Sequence, residues 1–148
     1  MLKITGREFL YSLNTIDKEL TDKLEKLEML RTMAIKITAC TDKEAVQSNG
    51  SQDKLGNIMA KIVDMENEIN EHTDNYCKRK EIAKDLIFKI EKESYQNMLY
   101  DLFICHIPLY QVAENYELTY KGAETTRRKA IVEFDKLFKD KYNNEIYI

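Results

Sequence analysis

Apolar side chains recur every three or four residues along two long stretches of this chain. The first stretch runs from about Thr5 to Thr38, and the second from about Leu55 to Lys92. This spacing lines up apolar side chains on one face of an α-helix, while charged residues such as Lys23 and Glu28 form the solvated face. The apolar positions of the first stretch are Leu10, Leu13, Ile16, Leu20, Leu24, Leu27, Leu30, Ala34 and Ile37.

A polar segment separates the two stretches. Residues 41–54 lose the periodicity and collect Ser, Asn, Gly, Gln and Asp, so they predict a loop. Two periodic helices joined by such a loop predict a long antiparallel, coiled-coil-like helical hairpin over residues 1–92. The second helix outruns the first, so its overhang must pack on the C-terminal domain or on a second subunit of a homo-oligomer. Its alternating seam is Ile62, Met65, Ile69, His72, Tyr76, Arg79, Ala83, Leu86 and Ile90.

Residues 93–148 predict a second domain with three shorter helices. Each helix begins after a residue that favours a helix start, either a hydroxyl side chain that can cap it or a proline. A turn over Glu117, Leu118 and Thr119 separates the last two helices. The three helices are residues 95–106 after Ser94, residues 109–116 after Pro108, and residues 120–140 after Thr119.

The last two predicted helices have the apolar pattern of a helix-turn-helix. Such a unit needs close packing, so that the second helix can enter the major groove of DNA. The small Ala113 meets this need in the first helix, and Leu118 is the expected inward residue of the turn. The remaining inward positions are Leu109, Val112 and Tyr116 in the first helix, and Ala123, Ala130 and Phe134 in the second.

The outer face of the last helix carries the candidate DNA-binding residues. By the helical period, Lys121, Glu124, Thr125 and Arg128 share this face. Lys and Arg can bond guanine edges, and Thr can touch a base edge or a thymine methyl. A basic but merely solvated helix face is the alternative interpretation. The full candidate set is Thr119, Tyr120, Lys121, Glu124, Thr125, Arg127, Arg128 and Lys129.

Charge is distributed unevenly, and this favours DNA binding. The formal net charge is −3, so a basic surface must be local. Residues 93–118 contain no Lys or Arg, whereas residues 119–148 contain seven basic and five acidic residues. The chain has only 4 Gly and 1 Pro, which disfavours a turn-rich β fold and predicts an all-α one. No apolar run approaches the roughly 20 residues that span a bilayer, and no signal peptide is evident, so we expect a cytoplasmic protein.

The C-terminal segment also resembles a known family. Residues 95–138 are similar to region four of bacterial sigma factors, in the order Leu99, Phe103, Ile104, Val112, Ala113, Leu118, Thr119, Ala123, Arg128, Lys129 and Ala130. Residues 51–69, SQDKLGNIMAKIVDMENEI, resemble the corresponding segment of ArpU-type regulators from phages of Gram-positive bacteria. The resemblance implies a phage or prophage transcription regulator in a bacterial host cell, with double-stranded DNA as its partner and RNA polymerase as a further candidate. Nothing in residues 1–92 resembles the promoter-melting module of a complete sigma factor, which favours an activator or sigma-like accessory factor.

Other functions have weaker support in the sequence. Cys105 and His106 are adjacent, and no metal-binding spacing such as CxxC occurs, so we expect no metal site. The glycines are isolated and form no phosphate loop, so we expect neither a cofactor nor an enzyme. Two alternatives to regulation stay open: a phage DNA-packaging recognition subunit, and a coiled-coil adaptor that does not bind DNA.

Overall fold

The computed structural model describes residues 4–43 and 49–142, and within these residues the protein is helical and has no β-strand. The prediction of an all-α protein is confirmed. Five residues of π-helix, Tyr100–Ile104, continue the third α-helix. The α-helices are α1 (Gly6–Lys43), α2 (Asn49–Ile87), α3 (Glu93–Leu99), α4 (Leu109–Asn115) and α5 (Tyr120–Tyr142).

The chain forms two compact units. Unit 1 is drawn from Met1–Ile16 and Tyr76–Ile148, and unit 2 from Asp17–Asn75. These units do not follow the predicted segments 1–92 and 93–148, because the first residues of α1 and the last residues of α2 belong with the C-terminal helices. The overhang of α2 is therefore part of unit 1, as one of the two predicted alternatives requires.

Unit 2 pairs the later part of α1 with the earlier part of α2. Lys23 Nζ lies 2.8 Å from Glu68 Oε1, and Arg31 Nη2 lies 3.0 Å from Glu66 Oε1. A later residue of α1 thus meets an earlier residue of α2, so the two helices run antiparallel. Their buried seam contains Leu20, Leu27 and Ala34 from α1 and Ile58, Ile62 and Ile69 from α2.

The seam of α1 differs from the prediction at one turn. Leu24 is 52% exposed, whereas the side chain of Lys23 is only 19% exposed. Leu20, Lys23, Leu27, Leu30 and Ala34 are buried or half-buried and alternate by three and four residues, so the seam contains residue 23 and not residue 24. There Lys23 lies 3.1 Å from His72 Nε2, and its hydrogen bond to Glu68 lowers the pKa of that carboxyl.

Three predicted boundaries also differ from the structure. The helices reach further into residues 41–54 than expected, and the remainder of that predicted loop, residues 44–48, lies outside the described residues. Helix α2 ends at Ile87 rather than near Lys92. Helix α3 begins at Glu93 with Lys92 as its N-cap, so Ser94 is inside the first turn and does not cap it.

In unit 1, α5 packs against the first turns of α1. The rings of Phe9 and Phe138 are 5.2 Å apart, and both side chains are fully buried. Gly6 N donates a hydrogen bond of 2.6 Å to Asp135 Oδ1. A Cβ at Gly6 would stand 2.8 Å from the Cα of Asp135, closer than carbon atoms approach without a shift of the backbone. The two helices therefore meet in backbone-to-backbone contact at this glycine.

We expect Gly6→Ala to destabilise the protein and Gly56→Ala to stabilise it. The first change overpacks the α1–α5 contact, which costs about 1–3 kcal/mol. The second adds a Cβ that meets nothing within 4 Å, in the interior of α2, and alanine is favoured over glycine there by about 0.5–1 kcal/mol. Urea unfolding followed by circular dichroism measures both changes. Equal effects of the two substitutions would contradict the close contact at Gly6.

Candidate nucleic-acid interface

Helix α4 begins where the sequence predicts. Pro108 is its N-cap residue, with φ −67° and ψ 151°, and α4 runs from Leu109 to Asn115. Leu109, Val112 and Ala113 are buried, and α4 packs against α5. Ala113 is thus buried in a helix that packs against α5.

The turn between α4 and α5 is held by backbone hydrogen bonds. Leu118 N donates to Ala113 O at 2.8 Å, and Glu117 N donates to Glu114 O at 3.2 Å. This pair of bonds is the Schellman motif, in which the residue after the helix takes a left-handed conformation. That residue is Glu117, with φ 55°. Thr119 Oγ1 then accepts a bond of 3.0 Å from Gly122 N, so Thr119 caps α5 as predicted.

Two residues predicted to face inward are partly exposed instead. Leu118 is 40% exposed, although its backbone N–H forms the turn's hydrogen bond to Ala113 O. Tyr116 is 43% exposed, and its hydroxyl donates to Asp101 Oδ2 at 2.7 Å. This hydrogen bond to a carboxylate raises the pKa of Tyr116 to about 12.

Helix α5 separates a buried face from an exposed one. Ala123, Ala130 and Phe134 are fully buried, as predicted, and Ile131 and Phe138 extend the same face. On the opposite side, Lys121, Thr125, Arg128 and Val132 are exposed at spacings of four, three and four residues. We call these four residues the α5 ridge.

The candidate residues divide between this ridge and its flanks. Thr119, Tyr120 and Lys129 are exposed beside the ridge residues Lys121, Thr125 and Arg128. Glu124 and Arg127 are half-buried instead. Of the four residues predicted to share the outer face, three are exposed, and the fourth, Glu124, lines the groove next to α1 instead.

A groove lies on each side of the ridge. The α1 groove, about 350 Å³, is lined by Arg7 and Tyr11 of α1 together with Glu124, Arg127, Arg128, Ile131, Val132, Asp135 and Lys136 of α5. The α3 groove, about 410 Å³, is lined by Lys92, Ser94, Tyr95, Asn97, Met98, Tyr116, Leu118, Thr125, Thr126 and Lys129. Because two residues differ by about 200° around an α-helix, Arg127 and Lys129 point to opposite flanks.

Most cations of this surface form no ion pair with the residues that the structure describes. Within the described residues, ion pairs of 4.0 Å or less involve none of Arg7, Lys92, Lys121, Arg127, Arg128 and Lys129. Lys136, in contrast, is 3.2 Å from Glu133 Oε1. The six cations other than Lys136 are therefore open to an external anion.

Residues outside α5 also reach this surface, and they are not among the residues predicted from the sequence. Arg7 and Lys92 line the two grooves, and Ser94 and Asn97 line the α3 groove. No local pattern marks these residues, because only the packing of α1 and α3 against α5 brings them there.

His106 supports the segment that precedes α4. Its backbone has φ 56°, just after the π-helical residues, and Ile107 N donates to Asp101 O at 2.9 Å. The ring Nδ1 lies 2.6 Å from Asn14 Oδ1, and Nε2 bonds the Tyr76 hydroxyl. Both ring nitrogens thus tie this loop to α1 and α2 within unit 1.

Comparison with protein-family models, with curated proteins and with solved structures finds no match for this chain. The described residues contain no group of three or more His, Cys, Asp or Glu side chains that could hold a metal ion. None of the described helices combines the length and the apolar character needed to cross a membrane.

The two left-handed residues are expected to respond oppositely to glycine. Glu117→Gly should raise the free energy of unfolding by about 1 kcal/mol, since a left-handed conformation costs a non-glycine residue roughly 1–2 kcal/mol. His106→Gly relieves the same strain but removes both ring hydrogen bonds, each worth about 1 kcal/mol, and with them the links from this loop to Asn14 and Tyr76. It should therefore destabilise the protein. Thermal and urea unfolding check both results, and a stabilised His106→Gly variant would contradict the role given to its ring.

Proposed function

We propose that this chain is a DNA-binding transcription regulator of phage or prophage genes, acting in the cytoplasm of a bacterial host, and that it reads a promoter with α5. In this proposal α4, the turn and α5 are a helix-turn-helix similar to sigma region four, and the paired helices of unit 2 are the body of a helical hairpin. RNA polymerase is a further proposed partner.

One observation carries the proposal: α5 is buried on one face, while its opposite face presents Lys121, Thr125 and Arg128 beside cations that form no ion pair with the described residues. A helix that reads DNA must present side chains that reach base edges from a rigid support. Lys121, Thr125 and Arg128 meet the first requirement, and the fully buried Ala123 and Ala130 meet the second.

Two partners could bind this basic surface, DNA or an acidic protein. The shape of α5 favours DNA more strongly than its charge does. Lys and Arg alone attract either partner. The ridge, however, lies on one face of a single helix over about three turns, and an α-helix with its side chains fits the major groove of about 12 Å. The adaptor alternative requires no such match.

The proposal is tested on the full chain by selecting duplexes from a random library and then measuring binding to the selected sequence. Arg128→Ala and Lys121→Ala should each weaken specific binding by about 1–3 kcal/mol and relax the preference at one position. Their stability should change by no more than about 0.5 kcal/mol, because both side chains are exposed.

Lys139→Ala is the matched control, because Lys139 is exposed on the last turns of α5 and lines neither groove. It should leave the sequence preference unchanged. If the wild type binds no duplex even at low salt, the chain is an adaptor. If both ridge variants select the same sequence as wild type with the same affinity, α5 is not the reader.

Self-association through unit 2 is a separate part of the proposal. Leu24, Met29, Met33 and Ile35 are exposed apolar side chains of α1, and burial between two copies would remove them from water. Sedimentation equilibrium at tens of micromolar, on the order of weak-to-moderate affinities, decides the point: a monomer throughout would reject the homo-oligomer.

A further inference from the structure

We infer that the α1 groove and the α3 groove each hold a phosphate of the DNA backbone, one from each strand bordering the major groove, and that Arg7 and Lys92 supply these contacts from outside the helix-turn-helix. This inference rests on the proposed function of α5. It extends the DNA-binding surface to residues that lie far from α5 in the sequence.

The α3 groove has the composition of an anion site. Lys92, the N-cap of α3, and Lys129, in α5, both line it. Ser94 and Asn97 add hydrogen-bond donors, and none of the lining residues is acidic. A phosphate oxygen accepts bonds from all of these donor types. The groove therefore attracts a phosphate without a competing carboxylate.

The α1 groove contains acidic residues as well, but its basic residues outnumber them. Arg7, Arg127 and Arg128 line it, together with the acids Glu124 and Asp135. Asp135 already accepts the 2.6 Å hydrogen bond from Gly6 N, and Lys136 is engaged by Glu133. Three guanidinium groups thus face two carboxylates, one of which is already bonded.

Arg7 and Lys92 are both held over a tyrosine ring. The guanidinium carbon of Arg7 is 5.6 Å from the ring centre of Tyr11, which in turn packs edge-on against Phe103 at 5.1 Å. Lys92 Nζ is 4.7 Å from the ring centre of Tyr95. A cation–π contact orients a long side chain without neutralising its charge, so less rotamer freedom is lost when an anion binds.

The placement of the grooves matches the shape of DNA. An α-helix with side chains is about 10–12 Å across and the major groove is about 12 Å wide, so a helix lying in it has a phosphate strand on each flank. The two grooves lie on opposite flanks of the ridge, with Arg128 bordering one and Thr125 bordering the other. One phosphate strand can therefore approach each groove while the ridge faces the bases.

The test uses the full chain and three single variants, Arg7→Gln, Lys92→Gln and the control Lys78→Gln. Lys78 is an exposed residue of α2 that lines neither groove. Binding to the selected duplex and to an unrelated duplex is measured over a series of salt concentrations. Each groove variant should weaken binding to both duplexes by the same factor, roughly twofold to fivefold, and the slope of log K against log salt should fall by about 0.9 per lost phosphate contact.

The double variant Arg7→Gln/Lys92→Gln should lower the slope by about 1.8, since the two contacts are independent. Lys78→Gln should bind like wild type. If both groove variants behave like Lys78→Gln while Lys121→Ala still changes the sequence preference, the grooves hold no phosphate but α5 still reads DNA. A loss confined to the selected duplex would also overturn the inference, because a phosphate carries no base identity.

The same variants separate DNA phosphate from a small phosphorylated ligand. Titration with pyrophosphate, followed by calorimetry, should give binding too weak to measure at millimolar concentration, because a single small anion contacts only one groove. Tight binding of pyrophosphate that Arg7→Gln or Lys92→Gln abolishes, without an effect on either duplex, would assign the groove to a free ligand instead.

Discussion

The arrangement of unit 1 depends on the close packing of α5 against the first turn of α1. Gly6 allows the two backbones to touch at Asp135, and the rings of Phe9 and Phe138 pack beside that contact. Nearer the N-terminus of α5, the small Ala123 and Ala130 are fully buried on the inner face of the helix. Because this face of α5 is buried, the opposite face points outward. The same packing places Arg7 of α1 beside that outward face.

The elements that local signals specify were predictable from the sequence. The 3.6-residue period of α1 and α2, Pro108 before α4 and the Thr119 cap of α5 act over a few residues each, so the pattern alone locates them. The buried positions of Ala113, Ala123 and Ala130 follow in the same way, since only small residues fit where two helices approach closely.

The features that depend on distant contacts were not predictable. Whether Lys23 or Leu24 enters the seam depends on the register against α2, where Glu68 and His72 receive the lysine. The left-handed residues Glu117 and His106 lack the glycine that usually marks such positions. The His106 ring bonds Asn14 and Tyr76, which are remote from it in the sequence. Arg7 and Lys92 likewise join the candidate surface only through packing.

Methylation interference on the selected duplex is the sharpest test of the proposal that α5 reads DNA from the major groove. Methylation of guanine N7 blocks an acceptor in the major groove, whereas methylation of adenine N3 blocks one in the minor groove. Methylated guanines within the selected sequence should prevent binding, and methylated adenines should not. Interference confined to adenine N3, or none at either position, would contradict the proposal.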